Sequence, residues 1–343
     1  MPALFPSCSS FFRSLQGFFV AGFLGIVLAG STALASESPV LDMLLRMQTA
    51  SQSLNYFGTL VYLHDEQVQT MKVVHRADHN GEFERLINLN GVAREIVRKN
   101  NVVICYMPDS KEVMVGKQQF QGNVLAQLAE NDFERLQKYY AFSFENVERV
   151  AGKAAQRILI KPKDSFRYGY RLWVDNSHAN LLKSDLLSEQ GKVLEQAMFA
   201  DITYVDVIPD TMLEPESTSD NFTWFEHDRE QNDSMFIESR WIVGALPQGF
   251  EVTSRFHHLM PNAVTPAEHW IISDGLASIS IYIEKIPELA ALPEAFEGSS
   301  PMGATNAFGV LLKDHQITVI GEVPAETVEK LANSISLNLG ADK

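Results

Sequence analysis

The segment YGYRLWVDN alternates along its length, with Tyr168, Tyr170, Leu172 and Val174 on one side and Gly169, Arg171, Trp173 and Asp175 on the other. A period of two with one apolar side reads as a strand half-buried in a sheet. Similar segments recur upstream as FGTLVYLHD, VQTMKVVHRAD, EFERLINLN, AREIVRKN, NVVICYMPD and EVMVGK. Turn-forming pairs separate them, at Asn80-Gly81, Asn90-Gly91, Asn100-Asn101 and Pro108-Asp109, and together they predict an antiparallel meander. FENVERVAGKAAQRILIKP, ANLLKSDLLSEQG and VLEQAMFADITYVDV continue the strand pattern. Two stretches take a helical period instead. In SPVLDMLLRMQTASQSLNYFG, Ser38 stands at the cap and Pro39 suits the first helical position, while Leu41, Leu44, Leu45 and Gln48 carry the spacing. A second helix is expected over residues 123–140.

IPDTMLEPESTSDN, residues 208–221, interrupts the pattern. Pro209 and Pro215 lie there among acids and small polar residues, with only Met212 and Leu213 apolar, so the stretch reads as a linker between two domains. The domains are set at 36–208 and 222–343, with 209–221 between them. In the second, GLASISIYIE places Ile279, Ile281 and Ile283 on one side of a strand. GEVPAETVEKLANSI predicts a helix with Pro324 in its first turn and a stripe of Val328, Leu331, Ala332 and Ile335. No internal repeat or low-complexity tract is evident.

The hairpin VVHRADHNGEFER gathers His75, Asp78, His79, Glu82 and Glu84. A two-residue loop at Asn80-Gly81 sets Arg76 against Arg85, which is unfavourable. A three-residue loop, His79-Asn80-Gly81, sets Arg76 against Glu84 and gathers Met71, Val73, Ala77, Phe83, Ile87 and Leu89 on one apolar face. On a strand His75 and His79 lie about 13 Å apart, too far to share a metal ion. Asp78, His79 and Glu82 then ring a solvated turn, and His75 is a hydrogen-bonded core or rim histidine.

Composition narrows the class. Arg13 precedes the apolar run LQGFFVAGFLGIVLAG, and Ala33 and Ala35 give an A-x-A pattern, so residues 1–35 are expected to be a cleaved signal peptide. The net charge of −15 makes a poor partner for nucleic acid or an anionic surface. Cys8 departs with the leader, leaving Cys105 in an apolar strand without an intramolecular disulfide partner. No nucleophile elbow, H-E-x-x-H, phosphate loop or C-x-x-C occurs. His257 and His258 point to opposite sides of a strand, and His269 sits beside Trp270 in another. No catalytic residue, metal or cofactor is therefore expected.

LNYFGTLVY, MKVVHR, ERLINLNGVAREIVR and CYMPD, followed by YRLWVDNSHANLLKSDLLSEQGKVLEQAMFADI, resemble the RseB/MucB family of periplasmic regulators of the envelope-stress sigma factor. WIVGALPQGFEV, DGLASISIYIE, MGATNAF and ITVIGEVPAETVEKLANSI extend the resemblance through the second domain. The resemblance implies an α+β, mostly antiparallel chain. Its first domain would be an unclosed barrel similar to the lipoprotein carriers, with helices inside; its second would be a smaller antiparallel sheet with a helix. It also implies a regulator in the periplasm that binds the periplasmic segment of a membrane-spanning anti-sigma factor (RseA/MucA-like) and shields it from proteolysis. Lipid or lipopolysaccharide would be the signal. The alternative is a lipid or lipoprotein carrier, because fold alone does not fix function; a metal hydrolase is a distant third. Oligomeric state stays open, a homodimer included.

Three residue sets are expected to matter. Met71, Val73, Phe83 and Ile87 would wall an apolar lipid pocket. Lys161, Lys163, Arg167 and Arg171 form the densest basic segment, either a solvated edge or a site for a lipid phosphate or acidic segment. Arg240, Trp241, Phe250 and Arg255 lie near loops and would contact the partner. Trp173 is expected to be a packing residue.

Overall fold

The computed structural model describes residues 38–65, 67–117, 133–216, 221–227, 237–258, 266–286 and 296–338. The expected leader lies outside them. α1 (Pro39–Ser53) comes first, and β1 (Tyr56–His64), β2 (Gln67–Asp78), β3 (Gly81–Asn88), β4 (Glu95–Lys99), β5 (Val102–Met107) and β6 (Glu112–Lys117) form the meander. α2 (Phe133–Leu136) leads into β7 (Tyr140–Val150), β8 (Lys153–Pro162), β9 (Gly169–Asp175), β10 (Leu181–Leu187) and β11 (Val193–Tyr204). Most of the helix expected over 123–140 lies outside the described residues; its described end is α2, and Tyr140 already belongs to a strand. With β12 (Thr223–His227), the sheet runs β12-β6-β5-β4-β3-β2-β1-β11-β10-β9-β8-β7. Its outermost strands do not pair, so the barrel is unclosed.

α1 lies against both β2 and the outermost strand β7, which requires the sheet to curl around it. Its buried stripe is Val40, Met43, Leu44, Met47 and Ala50. That stripe is rotated from the expected one, since Leu45 is exposed and only Leu44 is common to both. The thioethers fill the space between the strands that leucines were expected to fill. Ser38 occupies the cap position without a side-chain hydrogen bond, and the Leu41 amide bonds its carbonyl.

The second domain is a six-stranded antiparallel sheet. β13 (Trp241–Val243) precedes β14 (Glu251–His258), β15 (Ala267–Ser273), β16 (Ser278–Lys285), β17 (Gly298–Met302), β18 (Thr305–Leu312) and β19 (His315–Gly321). α3 (Ala325–Ser334) packs Val328, Leu331 and Ala332 on Trp270, Ile279, Ile281, Ile317 and Val319. Ile335 completes the expected apolar stripe from the first position of β20 (Ile335–Leu337), which pairs with β13.

The β2–β3 register differs from both expected ones. Asp78 pairs with Gly81, so Arg76 faces Phe83, His75 faces Glu84 and Val74 faces Arg85. Gly81 holds φ +117°, and a Cβ there would lie 1.9 Å from the Asn100 Oδ1 that accepts the Glu82 amide. The expectation of one apolar face fails because both faces of this hairpin are covered. Residues 205–216 cross the convex side, burying Ile208 and Leu213 against Val74 and Phe83. Arg76 donates to the Ile208 carbonyl and pairs with Asp210. Arg85 donates to Glu95 at 2.6 Å and to the Met212 carbonyl at 3.1 Å, while the Glu216 amide donates to Glu95. Up to residue 216, the stretch expected to be a free linker is thus fastened to the first domain. β12 then adds parallel to β6, so residues 223–227 also belong to that sheet rather than to the second domain.

On the concave side His75 is 2% exposed. Its Nδ1 lies 2.7 Å from the Leu54 carbonyl at the end of α1, and its Nε2 lies 3.1 Å from Glu82. Arg98 donates to both Glu82 and Glu84. Glu82 is therefore part of a paired network and not a solvated turn residue. Burial alone would raise the Glu82 carboxyl, but the hydrogen bonds and charges of His75 and Arg98 overcome it and hold it at about 2, against an ordinary 4.5.

Two predictions follow from these clamps. Arg85→Ala removes the cation from the buried Glu95 carboxylate and should cost about 3–5 kcal/mol in denaturant unfolding. It should also open residues 205–216 to limited proteolysis; an unchanged midpoint and cleavage pattern would contradict the strap. Glu82 is ionised more readily in the folded chain, so its stabilisation is complete above the ordinary value and fades as pH falls toward about 2. The gap in urea midpoint between wild type and Glu82→Gln should be flat above pH about 5 and close on acidification. A pH-independent gap would refute the pairing.

Candidate functional site

The expected lipid-pocket residues are not brought together. Val73 faces the concave side in one cluster with Tyr56, Leu60 and Leu86, and Met71 shares that face by register. Phe83, with Ile87 on the same face by register, points to the convex side beneath the 205–216 strap. The one-residue shift in register causes the split, since it moves every side chain of one strand to the other face. The concave interior is instead centred on α1, β8, β9 and β10, with Leu44, Met47, Ile158, Ile160, Tyr170 and Leu172 at its core.

The basic segment also disperses. Lys161 is exposed, Lys163 Nζ donates to the Gln137 carbonyl, and Arg171 Nε donates to Glu145 at 3.0 Å. Glu145 and Glu148 also pair with Arg157, and Trp173, 3% exposed, donates its indole N–H to Glu148. Arg167 leaves the surface altogether and is fully buried between the domains.

Of the partner set, Trp241 and Phe250 lie in the core of the second domain. Arg240 is exposed, and Arg255 is half-buried with its guanidinium 4.3 Å from the Trp270 ring centre. Exposure at loop-flanking aromatics is therefore not the rule here: these side chains close the sheet over its helix.

Residues from two expected sites meet where none was expected. The β8–β9 loop carries Arg167 into the second domain, where its guanidinium lies 4.7 Å from the Phe250 ring centre. Arg167 Nη1 donates to Asp274 Oδ2 at 2.5 Å and Nη2 to the Gln248 carbonyl at 2.6 Å, while Asp164 holds Nε from its own loop at 3.0 Å. Tyr140 donates to the same Asp274 oxygen at 2.8 Å. Burial first, and the Asp274 charge next, push the Tyr140 hydroxyl well above its ordinary value, so it remains a donor. Around this centre Asn306 donates to the Tyr168 hydroxyl, Thr327 to the Phe166 carbonyl, and Tyr170 to the Leu276 carbonyl. Gly249, at φ +90°, lets the β14 approach pass Tyr139, whose ring a Cβ would meet at 2.6 Å. The sequence offered a signal for Asp274 only in the turn SDGLA, and nothing in it names the guanidinium across the interface.

A groove runs past the end of α1. It consists of adjoining hollows of about 380 and 420 Å³ that share Ser53, Leu54 and His178. Buried Asp175 accepts from the Tyr204 hydroxyl and lies 3.1 Å from His178 Nδ1, and the two rings stack at 3.9 Å. Burial, then the Asp175 charge, raise the Tyr204 hydroxyl. Among the described residues no group of three or more His, Cys, Asp or Glu could hold a metal ion.

The family model described as the MucB/RseB N-terminal domain matches residues 39–217, and the MucB/RseB C-terminal domain model matches 236–336. The sigma factor AlgU regulatory protein MucB of Pseudomonas aeruginosa is 28% identical over 325 residues, covering 93% of this chain and 97% of the relative. The sigma-E factor regulatory protein RseB of Haemophilus influenzae is 26% identical over 312 residues, 90% of this chain and 95% of the relative. The solved complex of Pseudomonas aeruginosa MucA/MucB aligns with a TM-score of 0.70 at 26% identity, covering 88% of this chain and 100% of that one. With both domain models matched in order across most of its length, the chain belongs to the MucB/RseB family.

Proposed function

We propose that this chain is a non-catalytic regulatory binding protein of the periplasm. It holds the periplasmic segment of a membrane-spanning anti-sigma factor, keeps that segment from regulated proteolysis and so restrains the envelope-stress sigma response. The observation that carries the reading is its likeness over both domains to a relative solved in complex with MucA. Arg240 is the exposed cation of the expected partner set, Arg255 is half-buried on Trp270, and the pair suits an acidic segment.

The reading extends to lipid or lipopolysaccharide as the signal, supported by the apolar interior between α1 and the curled sheet. The docked second domain speaks against a simple carrier. A carrier needs its interior open, whereas here Leu276 and Ala304 of the second domain belong to the same buried cluster as α1.

Calorimetry of the mature chain with the periplasmic segment of its anti-sigma factor tests the proposal. Saturable binding at one segment per chain is expected, and Arg240→Glu with Arg255→Glu should weaken it by about thirtyfold or more, the size of a hot-spot loss. Absence of binding by the folded wild type would sink the reading. Undiminished binding by the double variant would relocate the contact.

A further inference from the structure

The turn between β15 and β16 does two things at once. Asp274 Oδ1 accepts the amides of Leu276 and Ala277 at 2.8 and 2.7 Å, which fixes the turn, with Gly275 at φ +108°. That fixed turn drives Leu276, 2% exposed, into the core of the other domain, among the α1 side chains and the concave residues of β8–β10. Asp274 Oδ2 meanwhile takes Arg167 and Tyr140 from the first domain. One carboxylate therefore both shapes the protruding turn and fastens it in place.

We propose that this turn is a removable wedge, with Arg167, Tyr140 and Asp274 as its latch. Leu276 and the acyl chain of a single-chain amphiphile compete for the same end of the first domain's apolar interior. The proposal rests on the lipid reading above and specifies how such a ligand would act. The seat is apolar and already holds a branched aliphatic side chain, so its chemistry suits an alkyl chain. An alkyl chain that enters must expel Leu276, and expelling Leu276 parts Asp274 from Arg167. Occupancy of the first domain is thereby converted into undocking of the second. A ligand shifts this balance only by its preference for the undocked state, and the latch sets how rare that state is.

The test uses the full mature chain and a dodecanoyl lysophosphatidylcholine below its micellar concentration. Affinity is read by calorimetry and wedge position by hydrogen exchange at the Leu276 and Ala277 amides. Arg167→Met with Asp274→Asn removes both buried charges together and keeps an acceptor for the turn. Leu276→Ala keeps the latch and shortens the wedge, and it decides the matter if the double variant does not fold. Wild type should bind weakly, losing amide protection as it binds. Both variants should bind at least about tenfold more tightly, as expected when a rare competent state becomes common. Equal affinity in all three proteins overturns the wedge and leaves lipid sensing standing. Binding by the variants alone upholds the wedge and removes lipid sensing from the native chain's function. No binding by any of them overturns both.

Discussion

A sheet of twelve strands is roughly 50 Å across at the usual strand spacing, and its concave face must be kept from water. α1, with 15 residues, spans about 22 Å and covers only part of that face. The rest of the architecture answers this shortfall. Curling brings β7 and β2 to opposite sides of one helix, and Leu276 and Ala304 arrive from the second domain to complete the same cluster. The second domain is thus not an appendage on a tether, because part of the first domain's core is built from its turns.

Polar groups drawn into that junction have to find partners, and they do so in a concentrated way. Arg167 is entirely removed from solvent but meets Asp274, Asp164 and a backbone carbonyl, with the faces of Tyr139, Tyr140 and Phe250 around its plane. A guanidinium in such a place contributes less to net stability than to geometry. Its fork accepts only one arrangement of partners, so the domains dock in one register. The convex side repeats the device with Arg85, Glu95 and the strap.

Much of the fold was legible. Alternation located the strands of the meander and β16, and helical spacing the stripe of α3; the buried face was legible too where an element buries one side, as β16 and α3 do. Legibility failed where that premise failed. The β2–β3 hairpin is covered on both faces, so hydrophobic count could not choose its register, and Arg76 over Phe83 looks polar in sequence while packing as an apolar pair. The 208–221 segment has the composition of a linker, yet within it Ile208 and Leu213 suffice to dock residues 208–216 between two arginines. The candidate site suffered most. A buried arginine and a surface arginine are the same letter, and only the long-range meeting of residues 167 and 274 tells them apart.

The parallel pairing of β12 with β6 has a kinetic consequence. Thr223 sits against Glu112, a separation of more than a hundred residues, and the closure cost of so long a loop makes this a late contact. Until residues 223–227 have settled, β6 presents a bare edge, the kind of template on which chains pair with one another. Cutting the first domain where its family match ends, at residue 217, would make that transient edge permanent. With β12 in place the outer edge of the sheet passes from β6 to a five-residue strand, and a short edge offers other chains a poorer template.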